Sequence, residues 1–138
     1  MKVSEGIRLI KPQIEIPWGI DQSSCKAMFG DFCLSKKTDG VYEVRCQWLS
    51  TEPEILTLMF NQNGLHTVEL HRVPSKQVVK SFKRWQSFAE SLLGEPTSKD
   101  LEYFEGPESS YWEKSGVHGY HRYYYKFGFV EKLGVVKT

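Results

Sequence analysis

The sequence contains four histidines, and imidazole is a common metal ligand, so we first consider a metal site. His66 and His71 are five residues apart on one predicted strand, so their side chains point to opposite faces. His118 and His121, three residues apart on another predicted strand, diverge in the same way. Zinc needs three or four convergent ligands, and neither the Cys-x-x-Cys nor the His-Glu-x-x-His spacing occurs. We therefore predict no metal site.

Glu69 and His71 are the best candidates for acid–base catalysis, because residues i and i+2 of a strand share a face. The same spacing also describes an exposed cross-strand polar row. The sequence has no glycine-rich phosphate-binding loop and no serine in a nucleophile-elbow context. We predict a protein without catalytic residues or cofactor. A small enzyme that uses His and Glu, such as a nuclease, remains the alternative.

The segment 118–127 combines aromatic and basic side chains. Alternation along a strand predicts two sets that point to opposite faces. The set predicted to face the helices consists of Tyr123, Tyr125 and Phe127. The outward set, which we predict to bind a protein partner, consists of Tyr120, Arg122, Tyr124 and Lys126. Tyr and Arg are enriched at the hot spots of protein interfaces, which favours this interpretation.

Two other interpretations of the same segment stay open. Aromatic rings and Arg on a sheet surface also form stacking platforms for single-stranded RNA. Alternatively, the outward side chains only support a twisted hairpin through cross-strand packing. Phosphate contacts supply most of the affinity for nucleic acid, and a net charge of +1 provides no general attraction for it. We therefore do not expect a nucleic-acid partner.

The length and composition predict one soluble domain. The chain has 138 residues, of which 40% are apolar and 25% charged, so it can form a core without disulfides or metal. Cys25, Cys33 and Cys46 are odd in number and have no Cys-x-x-Cys spacing, which fits reduced thiols. No unbroken apolar stretch resembles a signal peptide or a membrane span. We expect a cytoplasmic protein without a membrane partner, and the sequence does not indicate its oligomeric state.

Two helices are predicted from their capping residues and apolar spacing. The first begins after Asp21, a good N-cap, and ends at Gly30. The second begins after Ser75 and ends at Gly94, before Pro96. Its apolar residues recur every three or four positions and predict a buried stripe: Val78, Val79, Phe82, Trp85, Phe88, Ala89, Leu92 and Leu93.

The remaining segments predict antiparallel strands. Residues 41–73 form a three-stranded meander, in which Tyr42, Val44, Cys46 and Trp48 face the core. The middle strand, 55–60, is apolar at nearly every position and is expected to be covered on both sides. Residues 95–117 form a long loop with one or two short strands, and 119–127 and 129–136 form a hairpin.

An offset of 64 residues indicates an internal duplication. It superimposes the predicted helix-ending Gly30 on Gly94, and it superimposes the turn residue Gly64 on Gly128. The predicted fold is α+β, with two tandem helix-plus-meander units, about 18–73 and 74–138, packed as one domain over 1–138.

The order of these elements resembles that of a known class of binding proteins. The phrase WGIDQSSCKAMFG at the start of one half, with a glycine-turn hairpin at its end, resembles the repeat of the beta-lactamase inhibitory protein-like class. It is also similar to small bacterial immunity proteins, which neutralise a toxin by binding it. The resemblance implies a non-enzymatic binding protein, most concretely an immunity-type inhibitor that occludes a protein toxin.

Overall fold

A computed structural model describes residues 1–72, 78–103, 106–114, 116–126 and 128–138, with the backbone alone for 72 and 78–81. In this part of the chain the fold is α+β, as the sequence predicts, and it combines two helices with ten antiparallel strands. The strands are β1 (Gly6–Arg8), β2 (Glu15–Pro17), β3 (Ser35–Thr38), β4 (Val41–Cys46), β5 (Glu54–Asn61), β6 (Gly64–Arg72), β7 (Ser98–Asp100), β8 (Ser109–Lys114), β9 (Val117–Tyr125) and β10 (Phe129–Lys137).

Helix α1 (Gln22–Phe29) has the bounds that the sequence predicts. The Asp21 side chain accepts a hydrogen bond from the Ser24 backbone N–H at 2.7 Å and so caps the first turn. These contacts lower the pKa of the Asp21 carboxyl. Gly30 ends the helix with a φ of 56°, a conformation that favours glycine. Cys25 and Phe29 are buried against the sheet.

Helix α2 (Val78–Leu93) ends at Gly94, as predicted, and its apolar stripe faces the core. Phe82, Trp85, Ala89 and Leu93 are buried, and Phe88 and Leu92 pack against the same cluster. The predicted N-cap, Ser75, lies outside the described residues, as do the side chains of Val78 and Val79.

Eight strands form one sheet in the order β3-β4-β5-β6-β10-β9-β8-β7. The predicted meander and the C-terminal hairpin are confirmed, and they join along β6 and β10, where Val68 pairs with Val135 and Leu70 with Leu133. The residues of the predicted meander that were expected in the core are buried, namely Tyr42, Val44, Cys46 and Trp48. Strand β3 was not predicted, because its four residues are all exposed and polar and show no alternation.

The expectation that residues 55–60 are covered on both sides is wrong. Leu56, Leu58 and Phe60 are buried, whereas Ile55 on the other face is 39% exposed. Both helices pack on a single face of the sheet. From α1, Gln22 accepts a hydrogen bond from the Tyr42 hydroxyl at 2.8 Å, and from α2, Phe82 stacks on His121. Tyr42 and His121 lie on the same face as the buried leucines, so β5 has one covered side.

Candidate protein-binding surface

The sheet face opposite the helices is called here the outer face. Among the described residues of β9, Tyr120, Arg122 and Tyr124 lie on this face and alternate with the buried residues His121 and Tyr123. All three are half-buried although neither helix covers them. Three of the four residues predicted to bind a partner therefore form one row.

The fourth predicted residue, Lys126, lies beyond the end of β9. It is exposed in the turn before β10, and its backbone N–H donates to the Gly128 carbonyl at 2.8 Å. Lys126 is therefore not part of the row on β9 but lies next to its end, exposed to solvent.

The residues predicted to face the helices have different outcomes. Tyr123 is buried, with 4% of its surface exposed, as predicted. The prediction for Tyr125 is wrong, because 61% of its surface is exposed. It is the last residue of β9, and its ring lies at the sheet margin among Tyr103 and Phe129, with ring centroids 6.4 and 5.3 Å away. Phe127 lies outside the described residues.

The ring of Tyr120 extends across two strands of the outer face. Tyr120 pairs with Gly134 of β10, which in turn pairs with Glu69 of β6. Because Gly134 has no side chain, the phenol passes over it and its hydroxyl donates a short hydrogen bond to the Glu69 carboxylate. Burial, together with this carboxylate, raises the pKa of the Tyr120 hydroxyl far above its ordinary value. Tyr120 therefore stays a neutral donor with a fixed ring.

Glu69 was also half of the predicted acid–base pair with His71. The contacts that the structure describes for Glu69 are the Tyr120 hydroxyl and the Lys132 ammonium, the latter at 3.8 Å. His71 is exposed and lies opposite Lys132 in the strand register. The carboxylate thus stabilises the outer face, and its described contacts are not those of a general base with His71.

Arg122 is held by Glu102, which sequence reasoning did not single out. The guanidinium donates to the Glu102 carboxylate through Nη2 at 2.9 Å and through Nε at 3.2 Å. Glu102 also accepts from the hydroxyls of Ser109 at 2.6 Å and Tyr111 at 3.0 Å. The Arg122 guanidinium lies over the Tyr124 ring, 4.6 Å from its centroid.

The two nitrogens of Arg122 and the two hydroxyls of Ser109 and Tyr111 together determine the ionisation of Glu102. Burial by itself would raise the pKa of the carboxyl, but the hydrogen bonds from Arg122, Ser109 and Tyr111 outweigh it and lower that pKa. The same carboxylate raises the pKa of Arg122. Glu102 lies in the segment between β7 and β8, and no local pattern connects it to Arg122, twenty residues away. The two come together only in the folded chain, where the segment that follows β7 approaches β9.

A recess of about 340 Å³ lies beside the row and is lined by Glu69, Tyr111, His118, Tyr120, Arg122 and Lys132. Each basic group in its lining contacts a carboxylate: Arg122 contacts Glu102, Lys132 contacts Glu69, and His118 contacts Glu113. The recess therefore combines aromatic rings with charges that are already paired.

A second polar cluster, also missed from the sequence, is buried between α2 and the sheet. His121 and Glu131 are 0% and 1% exposed, and a 2.6 Å hydrogen bond joins Nε2 to Oε2. His121 Nδ1 donates to Gln86 Oε1 at 2.7 Å, because the Gln86 amide nitrogen already donates to Ser110. Phe82 stacks on the imidazole with ring centroids 3.8 Å apart. This cluster is enclosed on the helix side and is not part of the outer face.

The histidines do not converge in the described part of the chain. His66 contacts Thr67 Oγ1 at 2.7 Å, His71 is exposed, and His118 and His121 lie on opposite faces of β9. Within the described residues, no three His, Cys, Asp or Glu side chains are grouped so as to hold a metal ion.

Comparison of the chain with protein-family models, curated proteins and solved structures finds no match. Neither helix in the described ranges has the length and apolar character needed to cross a membrane.

Proposed function

We propose that the chain is a non-enzymatic protein-binding module, most concretely an immunity-type inhibitor that occludes a protein toxin. Its interface is the outer face around Tyr120, Arg122 and Tyr124, extended by Lys126. The observation that carries this proposal is the fixed geometry of the row: Glu69 and Glu102 hold Tyr120 and Arg122 on a face that neither helix covers. Side chains that are ordered before binding lose little entropy on association, and Tyr and Arg are the common anchors of interfaces.

The pairing of charges favours a protein partner over RNA. Single-stranded RNA is bound through cations that contact phosphates, in addition to stacking. On this face, the basic groups of the recess already contact Glu69, Glu102 and Glu113. A phosphate backbone would meet these carboxylates, whereas the mixed polar and aromatic surface of a protein can fit between them.

We also propose that the chain arose by internal duplication, with halves of about 18–73 and 74–138. Helix α1 is followed by strands β3 to β6, and helix α2 is followed by β7 to β10. The sheet order is symmetrical about the β6–β10 pair. Gly30 and Gly94 both end helices. Gly64 and Gly128 both lie at hairpin connections, the first where β6 begins and the second just before β10, with φ values of 94° and 134°. Two units joined at their last strands give a sheet wide enough for an extended interface.

The proposed compartment is the cytosol. Cys25, Cys33 and Cys46 are free thiols in the structure, which supports a reducing environment.

The test begins with a photo-crosslinking amino acid introduced at position 124 and expressed in the source cell. The captured protein is then purified, and its affinity for the chain is measured with Tyr124→Ala and Lys126→Glu. Arg122→Glu is less suitable, because it would place a second carboxylate beside Glu102. We expect each variant to weaken binding by at least about tenfold, as for central interface residues.

Gln62→Glu is the matched control, since Gln62 is exposed in the β5–β6 turn, 64 positions before Lys126. It should leave the affinity unchanged. Inhibition of the partner's toxicity by the wild-type chain distinguishes an immunity-type inhibitor from a general binding module. If every variant binds as tightly as wild type, the interface is elsewhere and the proposal fails.

A further inference from the structure

The chemistry of the partner can be inferred from how the charges of the outer face are paired. Arg122, the only arginine of the predicted row, is 37% exposed, and its carboxylate partner Glu102 is 17% exposed. Lys132 and Glu69 form a looser pair with an N–O distance of 3.8 Å. Each pair joins two segments that are distant in sequence. The charges are therefore neutralised only once the sheet has assembled.

The orientation of Arg122 is as important as its charge. Glu102 occupies Nε and Nη2, and the guanidinium lies over the Tyr124 ring at 4.6 Å. The bidentate contact with Glu102 uses Nε and Nη2 and leaves Nη1 outside it. A partner that docks on this row can therefore accept a hydrogen bond from Nη1 of Arg122, and this donor lies next to the Glu102 carboxylate.

A carboxylate of the partner would be poorly placed at this position. It would compete with Glu102 for Arg122 or lie beside it, and like charges brought together at an interface repel each other. A neutral acceptor, such as a main-chain carbonyl or a side-chain amide, can accept from Nη1 without repulsion from Glu102. Tyr111 and Tyr120 line the same recess as Arg122 and offer ring surface that an uncharged patch can cover.

We propose that Glu102 determines specificity at Arg122: it neutralises and orients the guanidinium, so that this part of the outer face selects an uncharged partner surface that presents hydrogen-bond acceptors and rejects an acidic one. This inference rests on the proposed function of the outer face. Glu102 is a positioning residue in this scheme, since it acts on the partner through Arg122.

The first experiment uses the free protein and acetate as a carboxylate probe. The Arg122 Nε–H resonance is followed by NMR while acetate is added to wild type, Glu102→Gln and Glu113→Gln. We expect a saturable shift only in Glu102→Gln, because only that change releases the guanidinium. Glu113→Gln is the control, since Glu113 contacts His118 on the same face. Glu102→Ala serves as a second variant if Glu102→Gln does not fold.

A saturable shift of equal affinity in wild type would overturn the inference, because Arg122 would then be open to carboxylates. With the purified partner, Lys126→Gln is introduced into every protein so that the exposed Lys126 ammonium does not contribute. The dissociation constant should then change less than about threefold between low and physiological salt, and it should become more salt-dependent when Glu102→Gln is added. A steep salt dependence in wild type that Arg122→Gln abolishes would also overturn it. The acetate titration needs no partner, so its failure is distinguishable from failure of the proposed function, which shows as the absence of a specific partner.

Discussion

The ring of Tyr120 lies over the backbone of Gly134, its neighbour on the adjacent strand β10. The absence of a Cβ at position 134 is what lets the phenol reach the Glu69 carboxylate on β6, one strand further on. An aromatic ring that covers a glycine of the neighbouring strand also shields that backbone from water. The glycine and the tyrosine therefore form a single structural unit in the proposed interface.

Gly134→Ala should displace the Tyr120 ring, because the new methyl group would overlap the ring and its hydroxyl. We expect a loss of about 1–3 kcal/mol in the free energy of unfolding, typical of an added methyl in a filled space. Urea unfolding of the two proteins measures this loss.

The double variant Gly134→Ala/Tyr120→Ala tests whether the loss of stability in Gly134→Ala comes from overlap with the Tyr120 ring. Once the ring is removed, the alanine at 134 has room, and it is a better strand residue than glycine. The alanine should then be neutral or stabilising relative to Tyr120→Ala alone. An equal loss in both backgrounds would show that the methyl group strains the strand itself and not its contact with Tyr120.

Glu102→Gln should remove a contribution to stability that depends on pH. The pKa of Glu102 is lower in the folded protein than its ordinary value of 4.5, so ionised Glu102 stabilises the fold above that value, and this contribution is lost as the pH falls through the folded pKa. At pH 7 we expect the free energy of unfolding of wild type to exceed that of Glu102→Gln by about 1 kcal/mol. The value is modest because Arg122 is partly exposed.

Thermal or urea unfolding from pH 7 down to pH 3 measures the difference. It should shrink below pH 4.5, where the carboxyl takes up a proton on unfolding. Glu52→Gln is a suitable control, because Glu52 forms an exposed pair with Arg84. If the difference in the free energy of unfolding between wild type and Glu102→Gln stays constant over this range, ionised Glu102 does not stabilise the fold in the way proposed.

Local signals explain the parts of the fold that the sequence predicts well. Helix α1 is bounded by Asp21 and Gly30, whose effects on the chain act within one turn. The β9–β10 hairpin combines alternating burial with a glycine at position 128. Short exposed strands such as β7 carry no such pattern, because their three residues are held by pairing with β8 and not by burial.

The candidate site is predictable only in part, since its geometry depends on contacts between distant segments. Alternation places Tyr120, Arg122 and Tyr124 on one face from the sequence alone. Their partners cannot be predicted in this way, because Glu69 is 51 positions from Tyr120 and Glu102 is in an irregular segment. Tyr125 shows the converse limit: alternation gives a direction, but burial also depends on whether another element covers the strand end.

The three thiols should differ sharply in reactivity. Cys25 and Cys46 are buried, and burial raises the pKa of their thiols to about 11 and about 12, whereas Cys33 is exposed. Since the thiolate is the reactive form, brief treatment of the native protein with a maleimide at pH 7.5 should modify Cys33 alone. Intact-mass spectrometry should show one adduct per chain, none in Cys33→Ser, and three after unfolding. Two or more adducts on the native protein would mean that the core opens readily.

The buried His121–Glu131 pair raises the question of what a polar contact does inside an apolar core. Gln86 from α2 and Glu131 from β10 both bond the imidazole, so His121 links the helix to the sheet through Gln86. Buried ion pairs often contribute little net stability compared with apolar residues of similar size, but the loss of one partner leaves the other without compensation.

Single and double leucine substitutions at these two positions should therefore give strongly non-additive effects. We expect His121→Leu and Glu131→Leu each to cost about 3–5 kcal/mol in the free energy of unfolding, because each removes the 2.6 Å hydrogen bond from a polar group that stays buried. The double variant should cost less than the two single changes together, by about 1–3 kcal/mol, because both polar groups are replaced by side chains that pack among Phe82 and Trp85. Urea unfolding of the four proteins closes this double-mutant cycle. The matching pair Tyr42→Phe on β4 and Gln22→Ala on α1 is the control for a partly buried hydrogen bond between neutral groups, whose coupling should be below about 1 kcal/mol. Additive effects at 121 and 131 would show that the two side chains are stabilised independently by their other contacts.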